Sequence, residues 1–217
     1  MAKRVDNGVV YTPPEIAEPL ARNLWAWAGK LGVQANAVYD PCCGDGALLR
    51  AARATAPEGN PRPLFYGHDI DAEAAAQGKQ QGLETNHGDL FDTGQPLSPR
   101  TLLICNPPYI GCSNLSRIVG SERFAWLKKT YKAERSGSCD LAGYVLRHVL
   151  QVQRPVLSAW VVTNTIGQGA TRRVGLKWAV DNGYVIVDMS DNIKWPGQAV
   201  TVKTFVLADG KRFADET

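Results

Sequence analysis

The sequence predicts an α/β chain built on a doubly wound, mostly parallel sheet of seven strands. Three observations lead there. Short apolar runs alternate with amphipathic segments at helical spacing, the pattern of helices layered on a sheet. Several of the runs stop at an aspartate or a Gly/Pro turn, as strands do at a ligand-binding edge. One run, Thr101-Leu102-Leu103-Ile104-Cys105, lacks polar alternation and so reads as a strand buried on both faces. It is followed by Asn106-Pro107-Pro108-Tyr109. Neither proline can donate a ladder hydrogen bond, so the strand ends there in a stiff turn.

The length of 217 residues fits one domain, 1–217, and a hydrophobic content of 44% suffices for a core. No apolar run approaches the ~18–20 residues of a membrane span. Met1-Ala2-Lys3-Arg4-Val5-Asp6 leads into no apolar signal region, so a cytoplasmic chain without membrane contact is expected. The five cysteines are an odd number with no Cys-x-x-Cys spacing, and His68, His87 and His148 are scattered. They read as thiols of a reducing compartment, with no metal site expected.

In chain order, Thr12-Pro13-Pro14-Glu15 opens a helix, with Thr12 as the cap, Pro13 at the first helical position and Glu15 completing a capping box. Ile16, Leu20 and Leu24 recur at helical spacing before Gly29 to Gly32 stops the run. Ala37-Val38-Tyr39-Asp40 is the first strand. It runs through Pro41-Cys42-Cys43-Gly44-Asp45-Gly46 into a helix starting at Ala47, a strand–glycine turn–helix arrangement whose backbone approaches a ligand closely. The turn is neither Gly-x-Gly-x-x-Gly nor a Gly-Lys-Ser/Thr loop. Its acidic strand end suits a ligand with an ammonium group better than a polyphosphate.

Leu64 to Asp71 is the second strand, with Asp69 placed to hold ribose hydroxyls and Ile70 as an apolar cover. Asp71 caps the alanine-rich helix that follows. Thr85 to Phe91 is a short third strand containing Asp89, a candidate acceptor for an adenine amine. The fourth strand leads into Asn106–Tyr109. That turn offers an amide oxygen, backbone carbonyls and an aromatic face, a set that suits a planar group carrying an exocyclic NH2.

Residues 110–138 have weak periodicity and carry Arg117, Arg123, Lys128, Lys129, Lys132 and Arg135 against Glu122 and Glu134, a local charge of +4. Residues 164–178 add Arg172, Arg173 and Lys177 for +3. The whole chain is only +3, so positive charge is concentrated after the fourth and fifth strands, where a phosphate backbone is the natural partner. Asp140 caps a helix ended by Pro155; Ser158–Asn164 is a fifth strand; Thr171–Asn182 is a helix closed by Gly183; Tyr184–Met189 and Val202–Leu207 complete the sheet.

Taken in order, Thr12-Pro13-Pro14-Glu15, Asp40-x-x-x-Gly44-x-Gly46, Asp69, Asp89, Asn106-Pro107-Pro108-Tyr109 and Asp140-Leu141 resemble the gamma class of DNA adenine-N6 methyltransferases. Thr163 to Gly169 and Trp195-Pro196-Gly197 look like the methylase part of bifunctional type II restriction-modification enzymes. The resemblance runs from about Val10 to Leu207. It implies a Rossmann-like, class I S-adenosylmethionine-dependent methyltransferase fold.

The same resemblance implies that Thr12, Asp40, Cys42, Gly44 and Gly46 hold the methionine end of S-adenosylmethionine. Asp69 and Ile70 would hold its ribose and adenine, and Asp89 and Leu90 its adenine edge. Asn106 and Pro107 would bind the target amine, Pro108 would stiffen the turn, and Tyr109 and Trp195 would stack on a flipped base. Arg117, Lys128, Lys129, Lys132, Arg172 and Arg173 would meet the nucleic-acid backbone. Cys42 departs from the usual alanine. Family members normally continue into a target-recognition domain, whereas only residues 208–217 follow the last strand here. The expectation is a weakly specific or partner-dependent enzyme: one that takes a separate recognition or restriction subunit, one with a short or unpaired target, or the catalytic part of a longer chain. The rivals are an RNA adenine-N6 methyltransferase, a glutamine-N5 methyltransferase of release factors, and a catalytically idle nucleic-acid-binding subunit.

Overall fold

The computed structural model describes residues 11–59, 62–133, 139–197 and 200–213. Val10, Glu134 and Arg135 lie outside the described residues. Helix α1 (Pro14–Lys30) buries Ile16, Leu20 and Leu24 on one stripe, and Pro19 omits one backbone bond without ending it. The predicted cap is corrected by one position: Pro13 is the N-cap, in extended conformation, and Thr12 makes no capping bond. The reason is steric. A residue preceding proline is pushed out of the helical region, so Pro13 stays extended and the helix begins at Pro14.

The chain then runs through β1 (Ala37–Asp40), α2 (Ala47–Ala54), β2 (Leu64–Asp69), α3 (Ala72–Gln80), β3 (Glu84–His87) and β4 (Thr101–Cys105). After these come α4 (Cys112–Val119), α5 (Ser121–Thr130), α6 (Leu141–His148) and β5 (Leu157–Thr163). Then follow α7 (Gly169–Arg172), α8 (Trp178–Asp181), β6 (Tyr184–Met189), β7 (Ile193–Lys194), β8 (Thr201–Asp209) and α9 (Gly210–Phe213). A π turn extends α6 through Val149–Gln153, and another, Arg173–Lys177, joins α7 to α8.

The sheet order is β3-β2-β1-β4-β5-β8-β6, with β7 added on β8. The sequence predicted seven strands; the eighth is the two-residue β7. Strands β1 to β5 pair in parallel, and β8 runs antiparallel between β5 and β6. From β1 the chain winds outward to β3, then returns to β4 on the other side of β1. That reversal opens a crevice at the carboxyl ends of β1 and β4. Strand β1 pairs with β4 so that Tyr39 faces Leu103, which brings Asp40 and the Asn106–Tyr109 turn to the same edge.

Strand β4 is buried at every position, as its composition predicted. Leu102 and Ile104 join the core under α1 and α2, while Leu103 and Cys105 join the core under α6. The weakly periodic stretch after β4 forms two short helices, α4 and α5, separated by Gly120 at φ +85°.

Two local readings are corrected. The third strand ends at His87, and Asp89 instead starts a 3-10 turn, Leu90–Asp92, by accepting from the Phe91 N–H. Asp140 makes no side-chain capping bond; its carboxylate takes the Thr171 hydroxyl, and that competing partner removes it from the helix end. The predicted Asp71 cap is present, accepting from Glu73 N and Ala74 N. Among the described residues, no helix is long and apolar enough to cross a membrane.

Candidate active site

The crevice is a cavity of about 490 Å³, of a size that holds a nucleoside-sized ligand. The ends of β1, β2 and β4 shape it, and Ile118, Val119 and Arg123 from α4 and α5 complete the wall. Asp40, Asp45, Asp69, Asp71 and Asp89 all line it. Asp40 is 1% exposed, and its Oδ1 accepts the Cys42 N–H at 3.0 Å. Asp69 is held twice: Oδ2 accepts the Gly44 N–H at 2.7 Å, and Oδ1 accepts the Asp71 N–H at 2.9 Å. The first of these bonds needs the chain to turn back at Gly44, which sits at φ +52° with the Tyr11 ring against its Cα face. Gly46, at φ +82°, then launches α2. Asp89 Oδ2 meets the Arg123 guanidinium at 3.0 Å, and the same guanidinium reaches Asp92 at 2.8 Å.

These carboxylates are costly where they stand. Burial first, then the nearby charges of Asp69 and Asp45, push the Asp40 carboxyl well above its usual range. Burial also raises Asp69, partly offset by the backbone N–H groups of Asp71, Gly44 and Ile70. Carboxylates held against their own solvation form a site complementary to a cation. Burial also pushes the thiols of Cys43 and Cys105 up, away from the thiolate form. Ile70 is the apolar counterpart, 70% exposed and lining the cavity, where it offers a surface for a flat ring.

Opposite the acids stands the turn at the end of β4. Asn106, Pro107, Pro108 and Tyr109 all line the cavity. Asn106 Nδ2 donates to Thr12 Oγ1 at 3.0 Å, and its Oδ1 is buried. The Tyr109 hydroxyl is buried with no hydrogen-bond partner among the described residues, and burial drives its pKa well up. The phenol end therefore acts as core, leaving the ring as what the cavity can use. Leu90 and Cys42 also line the cavity, as do Thr12, Asp40, Gly44, Asp69, Ile70 and Asp89 of the expected donor residues, whereas Gly46 lies outside the lining, packed toward Leu83 and Gly78.

Trp195 is not brought there. It is 2% exposed and belongs to the apolar cluster against which Tyr109 packs. Its main-chain N–H donates to the Val200 carbonyl at 2.9 Å, which ties this segment to the start of the last strand.

Sequence reasoning missed Tyr11, Phe91 and Arg123 as cavity residues. The first two adjoin motifs already singled out, so adjacency was an available signal. Nothing local marks Arg123, because its partners come from the turn after β3. Of the expected phosphate-facing residues, Arg117, Lys129, Lys132, Arg172 and Arg173 are exposed, and Lys128 lies over the Phe124 ring at 4.6 Å. Arg123 and Lys177 are committed to internal ion pairs, Lys177 with Asp181. Both basic segments follow the carboxyl ends of β4 and β5, the edge on which the cavity opens.

The model of the N-6 DNA methylase family matches residues 1–155. The type II methyltransferase M.BanIII of Aneurinibacillus aneurinilyticus is 24% identical over 216 residues, a match covering 88% of this chain and 36% of that protein. The chain thus spans about a third of the length of this relative. A Listeria monocytogenes structure described as a class I S-adenosylmethionine-dependent methyltransferase superposes with a TM-score of 0.71 at 14% identity, covering 96% of this chain and 63% of that one. The methyltransferase subunit of a type I restriction-modification system from Streptococcus thermophilus gives 0.61 at 17% identity, covering 92% and 44%. The fold is that of the class I S-adenosylmethionine-dependent methyltransferases, and the chain belongs to the N-6 DNA methylase family.

Proposed function

We propose that this chain methylates the exocyclic N6 amine of adenine in DNA, using S-adenosylmethionine and taking the base flipped out of the duplex. One observation carries the reading. The Asn106–Tyr109 turn and acids from three successive crossings of the sheet edge share one cavity at the switch point. The residues present fit the donor. A cavity whose carboxylates are raised by burial suits its cationic amino acid end, and the exposed Ile70 beside Asp69 suits a nucleoside. Asp40, Cys42, Gly44 and Gly46 would hold the methionine end, Asp69 and Ile70 the ribose and adenine, and Asp89 and Leu90 the adenine edge. When bound, this group supplies an electrophilic methyl on a sulfonium.

The chain's own part is orientation. The adenine amine is a poor nucleophile because its lone pair is delocalised into the ring. Asn106 Oδ1 and the Pro107 carbonyl accept its two hydrogens and favour a pyramidal nitrogen whose lone pair points at the donor. Alignment of this kind is worth several kcal/mol, up to about 7–11 for well-oriented groups. No strong base is required, since the proton leaves after transfer. Flipping the base costs a few kcal/mol. Stacking on the Tyr109 ring returns ~1–3 kcal/mol. Trp195 belongs to the apolar cluster against which Tyr109 packs.

Arg117, Lys129, Lys132 and Arg172 supply phosphate contacts, which position DNA without reading its sequence. Readout by a separate recognition or restriction subunit belongs to the same proposal. The test is transfer of a tritiated methyl group from the donor to pools of DNA, RNA and protein. Label in DNA, recovered as N6-methyladenine, supports the reading. Label confined to RNA or to protein glutamine overturns it.

A further inference from the structure

We infer that Thr12 is a positioning residue for the acceptor amine, acting through the Asn106 side chain and not on the donor. This deepens the function proposed above and rests on it. The two residues lie 94 positions apart in the chain, yet Asn106 Nδ2 donates to Thr12 Oγ1 at 3.0 Å. Each stands immediately before a Pro-Pro pair, Thr12-Pro13-Pro14 and Asn106-Pro107-Pro108. A residue before proline is confined to extended backbone, and the proline that follows has its φ fixed. Among the described residues, two stiff turns therefore meet through the hydrogen bond between these side chains. Thr12 is 7% exposed, so water is a poor substitute for the partner it provides.

The chemistry gives this contact a purpose. An amide presents an acceptor on one side and two donors on the other. The target amine also carries two hydrogens, so only the oxygen can meet it; a reversed amide sets donor against donor. By taking Nδ2, the Thr12 hydroxyl leaves Oδ1 as the atom for the acceptor amine. Because proline sterics start α1 at Pro14, the Thr12 hydroxyl is not used as a helix cap and is available to Asn106.

The experiment pairs calorimetric binding of S-adenosylmethionine with single-turnover methylation of duplex DNA at saturating donor. The chains compared are wild type, Thr12→Val, Thr12→Ser, Asn106→Ala and the Thr12→Val/Asn106→Ala double variant. Thr12→Val, which keeps the shape and loses the hydroxyl, is expected to bind donor within about twofold of wild type and to react roughly 10- to 100-fold more slowly. Thr12→Ser restores the rate, and Thr12→Val adds no loss on top of Asn106→Ala. Weakened donor binding in Thr12→Val at an unchanged saturated rate overturns the inference and makes Thr12 a donor ligand. Equal losses in Thr12→Val and Thr12→Ser, or multiplied losses in the double variant, also overturn it. A wild-type chain that transfers nothing to DNA, or Asn106→Ala at full rate, removes the functional reading and this inference together. Full activity of Thr12→Val beside an inactive Asn106→Ala removes this inference alone.

Discussion

The two walls of the cavity are held in opposite ways. On the acid side, the positions are set by backbone. Cys42, Gly44 and Asp71 donate main-chain N–H groups to Asp40 and Asp69, and these groups sit at the ends of paired strands. On the other side, α4 and α5 are attached mainly by side chains. Arg123 bridges to Asp89 and Asp92, the Tyr131 hydroxyl meets His148 Nδ1 at 2.6 Å, and each helix buries one leucine, Leu115 or Leu127. A small ligand with fixed shape needs prearranged partners, since ordering them on binding would cost affinity. A polymer with a repeating charge needs only a positive surface within reach. The wall that carries Lys129 and Lys132 is the one with the looser attachment.

The largest test of that contrast falls on the turn between the walls. Asn106→Ala is expected to keep donor affinity and to lose at least about 100-fold in turnover, because its contact is made with the reacting amine. Stopped assays at saturating donor, beside calorimetry, check both halves. Next comes the acid wall. Asp69→Ala leaves the Gly44 and Asp71 N–H groups without their acceptor, and donor binding should weaken by ~1–3 kcal/mol while a DNA gel shift is unmoved. Equal weakening of DNA and donor binding would mean that the two walls are not separable.

The basic wall predicts a smaller effect per residue. Removing the charges of Lys129 and Lys132 together should lower the slope of log affinity against log salt by about 2, equally for any DNA sequence. Filter binding across a salt series on two unrelated duplexes measures it, and a loss restricted to one duplex contradicts the assignment.

The smallest effect expected is on stability, and its sign follows from the raised carboxyl of Asp40. A group protonated more readily in the folded state stabilises below its ordinary pKa, and that contribution is lost as pH rises through the folded value. The charged form is the costly one. Asp40→Asn, which keeps an acceptor for Cys42 N, should therefore raise the melting temperature at pH 7.5 and leave it unchanged near pH 3. Each kcal/mol gained shifts Tm by about 2–4 °C in a chain of this size. Donor affinity should fall in the same variant. A destabilised Asp40→Asn at pH 7.5 would show that the carboxylate serves the fold and not the ligand.

Much of this was legible in the chain. β4 could be read from five residues without a polar position, and Asp40, Asp69 and the Asn106–Tyr109 turn from where the apolar runs stop. Those are local signals of periodicity and turn chemistry. The cap of α1 lies one residue later than its Thr-Pro-Pro-Glu pattern predicts, because Pro14 keeps Pro13 extended, and the Thr12 hydroxyl meets a distant amide instead. Asp89 was assigned to a strand because its own acceptor role, capping the turn to Phe91, leaves no periodic trace.

Local signals in the chain were enough to locate the main strands, the acids at the ends of β1 and β2, and the two prolines that follow β4. Apolar spacing and proline stereochemistry act within a few residues, so they are written locally. Only the tertiary structure decided that Thr12 meets Asn106, that Arg123 takes Asp89, and that Trp195 turns into the core. Each of those joins distant parts of the chain, and their meeting depends on the order in which the strands pack, which burial of the whole sheet selects and no short stretch encodes.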